Sequence, residues 1–236
     1  MLDKLLDVGL DGLILPPPLC ESPDLLRAAR EAGLVTVLVA PGLPNDALAS
    51  VRIDNQTAAF ELTSSLLKLE HRQLGFIGGP PDQSVSGQRY AGFLAAIGVA
   101  GVAASEVGVE PGLFTYRSGL EAAERLLQRE SRPTAIFAAN DDMAAAALVA
   151  AHRAGLGVPQ DLSIVGFDDT PIASSVWPAL TTVRQPIAAM ARAALEMVLA
   201  QLRRPARLEG ELRDRLHAHR LIVRESSGPA PKTAST

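Results

Sequence analysis

Pro133-Thr134-Ala135-Ile136-Phe137-Ala138-Ala139-Asn140-Asp141-Asp142-Met143-Ala144 reads as a short apolar strand running straight into a helix. Thr134–Ala138 has no polar alternation, so both faces of that strand are predicted to be covered. Asn140 is placed to cap the helix, and Asp141 with Asp142 suits the positive end of its dipole. Further runs of the same type lie on either side, at Gly12–Leu15, Val35–Val39, Val51–Ile53, Leu74–Ile77 and Ser163–Phe167. Helical patterns alternate with them. Ser22-Pro23-Asp24 reads as a cap followed by Pro at the first helical position, with Gly33 as the stop. Ala59, Leu62, Leu66 and Leu69 form one stripe, and Ser118 with Glu121 reads as a capping box. Ile187, Met190, Ala191, Ala194, Leu195, Val198, Leu199 and Leu202 mark the last long helix. Continuous apolar strands alternating with helices predict an α/β protein, its parallel sheets covered by helices on both faces. Ligands of such sheets sit beyond the carboxyl ends of the strands. The loops to search are therefore Pro16–Cys20, Gly78–Gln88, Ala139–Asp142 and Asp168–Trp177.

The chain of 236 residues is 47% hydrophobic and 20% charged, which fits a globular protein with a sizeable core. Twenty-two Lys+Arg against 26 Asp+Glu leave a net charge of −4, which gives no support to a phosphate-binding surface. The single cysteine, Cys20, has no intrachain partner for a disulfide. No apolar run approaches the ~18 residues of a membrane span, and MLDKLLDVGL has the wrong charges for a secretory signal. A cytoplasmic location without membrane contact is expected. The chain opens in a helical pattern (Leu2, Leu5, Leu6) that leads directly into the Gly12 strand, as a truncated lobe would. The tail from Gly228 to Thr236 is Pro/Ala/Ser/Thr-rich and is expected to be disordered.

The common catalytic motifs are missing. No GxxxxGK[ST], no GxGxxG after the first strand and no GxSxG elbow are present. His217 and His219 would share a face of a strand, but two ligands make a weak metal site against the plainer reading of a solvated strand. The pairs Asp141-Asp142 and Asp168-Asp169 read more simply as helix-start and turn acids than as acid–base catalysts. The expectation is no enzyme, no metal and no cofactor.

Five further strings carry information. Gly78-Gly79-Pro80-Pro81-Asp82-Gln83-Ser84-Val85-Ser86-Gly87-Gln88-Arg89-Tyr90-Ala91-Gly92-Phe93 follows a strand and opens a helix. Val158 through Pro171 contains Gly166-Phe167-Asp168-Asp169-Thr170-Pro171, and Trp177-Pro178-Ala179-Leu180-Thr181-Thr182-Val183-Arg184-Gln185-Pro186 follows. Asp11-Gly12-Leu13-Ile14-Leu15 and Val51-Arg52-Ile53-Asp54-Asn55 precede them. Together with the Pro133 string, these closely resemble the effector-binding core of LacI-family bacterial transcription regulators, a fold shared with the periplasmic sugar-binding proteins. The resemblance runs from about residue 5 to Glu225, in family order and spacing.

That resemblance implies two Rossmann-like lobes of the periplasmic-binding-protein type I, joined by three crossovers, with a small-molecule effector in the cleft. Residues 1–53 plus 186–212 would form the N-terminal lobe, which is incomplete at its start. Residues 54–185 plus 213–226 would form the C-terminal lobe, and 227–236 the tail. The helix-turn-helix head of the family is absent, so operator DNA would be met only through a head that this chain does not carry. A homodimer is implied. The effector is expected to be a sugar or sugar derivative, the family's commonest choice.

The resemblance also assigns ligand-binding roles. Arg89 matches the family arginine at the start of its helix; a cation there opposes the helix dipole and so needs another reason to be present. Asp168 matches the acidic effector contact, able to accept from two vicinal hydroxyls, with a turn-forming role as the plainer alternative. Phe114 matches an aromatic that stacks on the effector, against simple core packing. Asn140 matches a cleft amide, or is only a helix cap. Asp54, Gln83, Gln185 and Trp177 are further carry-overs, Asp54 and Gln185 at crossovers where hinge duties compete. Two departures make the pocket less polar: Ala40-Pro41 stands where many relatives have an acid, and Val85 where some have a hydroxyl. A solute-binding protein of a sugar transporter, and a headless remnant that no longer binds DNA, are the alternative readings.

Overall fold

The computed structural model describes residues 9–103, 106–203 and 213–232, and its contacts divide the chain into two units. The first comprises Met1–Asp54, Gln83–Val85 and Pro186–Ala218; the second comprises Asn55–Asp82, Ser86–Gln185 and His219–Thr236. The helical pattern at Leu2, Leu5 and Leu6 lies outside the described residues.

In the first unit, strands β1 (Gly12–Leu15), β2 (Val35–Val39), β3 (Ala49–Ile53) and β9 (Asp214–His217) form a parallel sheet in the order β1-β2-β3-β9. Helix α1 (Pro23–Glu31) starts as its sequence predicts, with Ser22 Oγ accepting from Leu25 N. Leu15, Cys20 and Leu38 are buried together, and burial pushes the Cys20 thiol up to about 12. Helix α7 (Ile187–Arg203) packs on β1, β2 and β3 through Met190, Ala193, Ala194, Met197 and Val198. Ile187, Leu195, Leu199 and Leu202 are 40–51% exposed, so the predicted apolar face is only half covered. The apolar arc of this helix is wider than the strip that a sheet can cover.

Two expectations at the C-terminal end are corrected here. Residues 213–218 belong to the first unit rather than the second, because Ser50 Oγ and the Arg52 guanidinium both donate to Asp214 and align β9 beside β3. His217 ends β9, whereas His219 lies beyond it with Nε2 2.9 Å from Glu61 Oε2, so the two do not share a strand face.

The second unit has a parallel sheet in the order β5-β4-β6-β7, made from β4 (Leu74–Ile77), β5 (Val107–Glu110), β6 (Ala135–Ala138) and β7 (Ser163–Val165). Beside it, β8 (Thr182–Arg184) pairs antiparallel with β10 (Arg220–Ile222). Its helices are α2 (Asn55–Lys68), α3 (Ser84–Val99, from Ser86 onward), α4 (Tyr116–Leu127), α5 (Asp141–Arg153) and the short α6 (Pro171–Ser175). Side chains alternate along a strand. Gly75 faces Leu126 of α4, while its neighbour Phe76 packs against the tilted rings of Tyr90 and Phe93 of α3, at 5.2 and 5.0 Å between ring centroids. Helices therefore cover both faces.

The α4 cap is Thr115, whose hydroxyl accepts from Ser118 N; the expected Ser118–Glu121 box does not form, since Ser118 is inside the helix and Glu121 pairs with Arg117. The tail is also corrected, as far as Lys232. Gly228 O lies 3.0 Å from His71 Nε2, and just before the tail the fully buried Ser226 exchanges hydrogen bonds with Ile164 and accepts from Thr181 N. Ala230 N donates to Leu69 O. Within the tail read as disorder, Gly228 N donates to Ser163 Oγ of β7, so the segment takes its partners from the body of the unit.

Two glycines of α3 give a matched prediction. A Cβ on Gly92 would lie 2.2 Å from Gln56 O, where α2 and α3 cross backbone to backbone, whereas one on Gly87 meets nothing within 4 Å. Gly92→Ala is expected to destabilise by about 3 kcal/mol through overpacking. Gly87→Ala should be neutral or stabilise by up to about 1 kcal/mol through helix propensity. Urea denaturation followed by circular dichroism compares the two directly.

Candidate functional site

The parallel strands of the second unit end at a cluster built around Arg89. Its place on α3 buries the guanidinium (4% exposed) over the Phe167 ring, 3.8 Å from the centroid. Nε donates to Asn55 Oδ1 at 3.0 Å, Nη1 to Ala139 O at 2.6 Å and Nη2 to Asp168 Oδ1 at 3.2 Å. These bonds account for three of the five N–H donors an arginine has. Burial pulls the Arg89 pKa below its ordinary value, while Asp168 and Asp141 act the other way.

Asp168 follows β7 in a backbone conformation rare for a non-glycine residue, with φ 109°. Burial raises its pKa; Arg89 and the amide of Gln185 oppose the rise. Gln185 Nε2 donates to Asp168 Oδ1 at 2.7 Å, while Gln185 Oε1 is buried with no hydrogen-bond partner among the described residues. The Asp168 side chain keeps 26% of its surface open, so the acceptor is both fixed and accessible.

Two neighbouring acids hold this loop. Asp169 is at φ 57° and accepts from Arg184 and from Arg224 Nη2; burial tends to raise its pKa, but these two partners lower it overall. Asp141, the first residue of α5, accepts from Thr182 Oγ1 at 2.6 Å and from Thr170 N at 2.7 Å. Burial pushes its pKa up to about 7 against the effect of these hydrogen bonds, with Asp168 adding to the rise. Gly166 makes room for it, because a Cβ there would come 2.4 Å from Asp141 Oδ1.

The structure thus brings Arg89, Asp168 and Gln185 into one network. Phe114 adjoins it, its ring centroid 5.7 Å from the Arg89 guanidinium carbon, on a backbone at φ 56°. Asn140 uses both ends of its amide within the protein: Oδ1 accepts from Met143 N and Nδ2 donates to Phe114 O. It caps α5 and holds the Phe114 loop. Asp54 and Gln83 belong to the first unit, and Trp177, 82% exposed after α6, stands apart from the buried network. Val85 is buried. Sequence reading missed Asn55 and Phe167 as Arg89 partners. Both sit next to residues it did single out, Asp54 and Asp168, which was the available signal.

Chemically, the cluster offers a carboxylate and an amide carbonyl as acceptors beside a fixed guanidinium, with aromatic surface adjoining. Such a set recognises hydroxyl groups.

Residues 63–227 match the periplasmic binding protein-like domain. Catabolite control protein A of Priestia megaterium is 32% identical over 188 residues, covering 79% of this chain and 56% of that protein. The HTH-type transcriptional repressor CytR of Escherichia coli (strain K12) is 36% identical over 188 residues, covering 80% of this chain and 54% of its own length. Among solved structures, a transcriptional regulator CelR-cellobiose complex superposes with a TM-score of 0.87 at 31% identity, covering 95% of this chain and 68% of the other. The chain spans about half the length of the curated relatives it matches.

Proposed function

The chain belongs to the periplasmic binding protein-like domain family, in the form carried by LacI-family transcription regulators, and on that premise we propose that it is the effector-binding core of such a regulator, with a sugar or sugar derivative as effector. The observation that carries this reading is the Arg89–Asp168–Gln185 network with its unpaired Gln185 Oε1. A buried acceptor left unpaired costs about 1–3 kcal/mol, which a ligand hydroxyl would recover. Two vicinal hydroxyls meet Asp168 and Gln185 together, as a sugar ring presents them. The regulator named CelR, solved with cellobiose, is a chemical parallel.

Effector binding would shift the balance between conformations of the regulator and so its affinity for operator DNA. DNA contact would fall to a part of the regulator other than these residues, whose net charge is −4. A cytoplasmic homodimer without membrane contact is the form in which such a core would work. Among the described residues, no helix is long and apolar enough to cross a membrane.

Isothermal titration with a panel of mono- and disaccharides, cellobiose included, tests the reading. At least one sugar should bind stoichiometrically without being consumed, and Asp168→Asn should weaken it about 30-fold or more, as for one partner of a hydrogen-bonded charge pair. Binding unchanged in Asp168→Asn, or turnover of the sugar, overturns it.

A further inference from the structure

Beside the Arg89 network, and using neither Arg89 nor Asp168, the second unit carries a pocket of about 310 Å³ between α3 and the ends of β4 and β5. That volume is at the lower end of the range of small-molecule sites. Phe76 and Tyr90 supply aromatic walls, Val109 and Pro111 stand at the β5 side, and Gly87, where a Cβ would meet nothing within 4 Å, leaves the space unfilled. Val109 is 44% exposed, which sets the mouth of the pocket at the sheet edge. The polar side-chain groups of this lining are Ser86, Glu110 and the Tyr90 hydroxyl.

Ser86 makes the pocket more than a packing gap. The residue is 7% exposed and its Oγ is buried without a hydrogen-bond partner among the described residues. A serine in the first turn of a helix ordinarily bonds a nearby backbone group, so an orphan here is unusual. The hydroxyl lies against Gly79, where an added Cβ would come within 2.5 Å of it and 2.2 Å of the Phe114 ring. It therefore lines this pocket close to the Phe114 ring.

We propose that this pocket is a second ligand site, for a small uncharged aromatic alcohol whose ring lies against Phe76 and Tyr90 and whose hydroxyl pairs with Ser86. The chemistry narrows the class. A sugar would bring more hydroxyls than the lining can pair, and each unpaired one is costly. An anion would face the Glu110 carboxylate, which the Arg125 guanidinium partners. A plain hydrocarbon would leave the Ser86 hydroxyl as unpaired as before.

The test is an NMR titration of the ¹⁵N-labelled full chain with benzyl alcohol and, in parallel, toluene, which lacks the hydroxyl. Benzyl alcohol should give saturable shifts at the Gly78, Gly79 and Gly87 amides. Gly87→Leu fills the pocket from a position where a Cβ meets nothing within 4 Å, and should weaken binding of both compounds about tenfold or more. Val109→Trp closes the mouth from β5 and serves the same purpose should Gly87→Leu fail to fold. Ser86→Ala should weaken benzyl alcohol about 3- to 10-fold while leaving toluene unchanged, the loss of one hydrogen bond. Three outcomes overturn the proposal: no saturable shift at those amides, equal binding in the pocket-filling variants, or equal effects of Ser86→Ala on the two compounds.

Discussion

Arg89→Met is expected to abolish effector binding and to lower the unfolding free energy by about 3–5 kcal/mol, the cost of breaking a buried pair by removing one partner. The size follows from what the guanidinium holds. Asn55 Oδ1, Ala139 O and Asp168 Oδ1 each lose a donor, and the Phe167 face loses its cation. Methionine fills much the same volume, so a cavity is not the main term. The uncompensated Asp168 carboxylate is. Two comparisons separate charge from shape. In Arg89→Met/Asp168→Asn the carboxylate is gone, and most of the lost stability should return while binding stays absent. Arg89→Lys keeps the charge but cannot direct donors to three acceptors lying in different directions, so it should fall between wild type and Arg89→Met in both measurements. The deficit of Arg89→Met should also narrow as pH falls, because Asp168, already raised by burial, can then take a proton. Urea denaturation at several pH values, with titration calorimetry on the same samples, checks each point. Equal destabilisation in the single and double variants would show that packing, not the ion pair, is what Arg89 provides.

This network shows how far a sequence can be read. The strands that frame it were legible because each is a short apolar run covered on both faces, and periodicity needs no more than that. β5, β8 and β10 were not: Val107–Glu110 alternates in burial at a sheet edge, and the other two are three-residue pieces in mixed polar sequence. Arg89 and Asp168 stood out individually by resemblance, but they are 79 residues apart, and nothing local says that one is the other's partner. Asn140 illustrates the opposite case. Its local reading as a helix cap describes what its Oδ1 does, while the bond from Nδ2 to Phe114 O depends on a loop 26 residues away. The tail misled for a related reason. Composition reports what a segment can form by itself, whereas Gly228 and Ala230 are held by Ser163 of β7, His71 and Leu69.

Asp141→Ala should rival Arg89→Met in effect. It leaves the buried Thr182 hydroxyl and the half-buried Thr170 N–H and hydroxyl without their acceptor. At about 1–3 kcal/mol for each buried group that stays unpaired, a loss of roughly 3–5 kcal/mol is expected. Effector affinity should fall with it, since Thr170 closes the loop that carries Asp168. Asp141→Asn keeps one acceptor and should cost far less at neutral pH; its signature lies in the pH profile. The folded chain holds the Asp141 proton up to about pH 7, whereas the unfolded chain releases it near pH 4. Between those values the folded state binds more protons, so this group makes stability fall as pH rises, by at most about 1.4 kcal/mol per unit. His71 acts with the opposite sign. Burial lowers its pKa, so below about pH 6.5 the unfolded chain takes a proton that the folded chain refuses, and stability falls as pH drops. Over pH 4–6.5 the two slopes oppose each other. Asp141→Asn removes one and should leave stability dropping toward acid; His71→Phe removes the other and should leave it climbing. Parallel profiles in the two variants would mean that neither buried group sets the pH response.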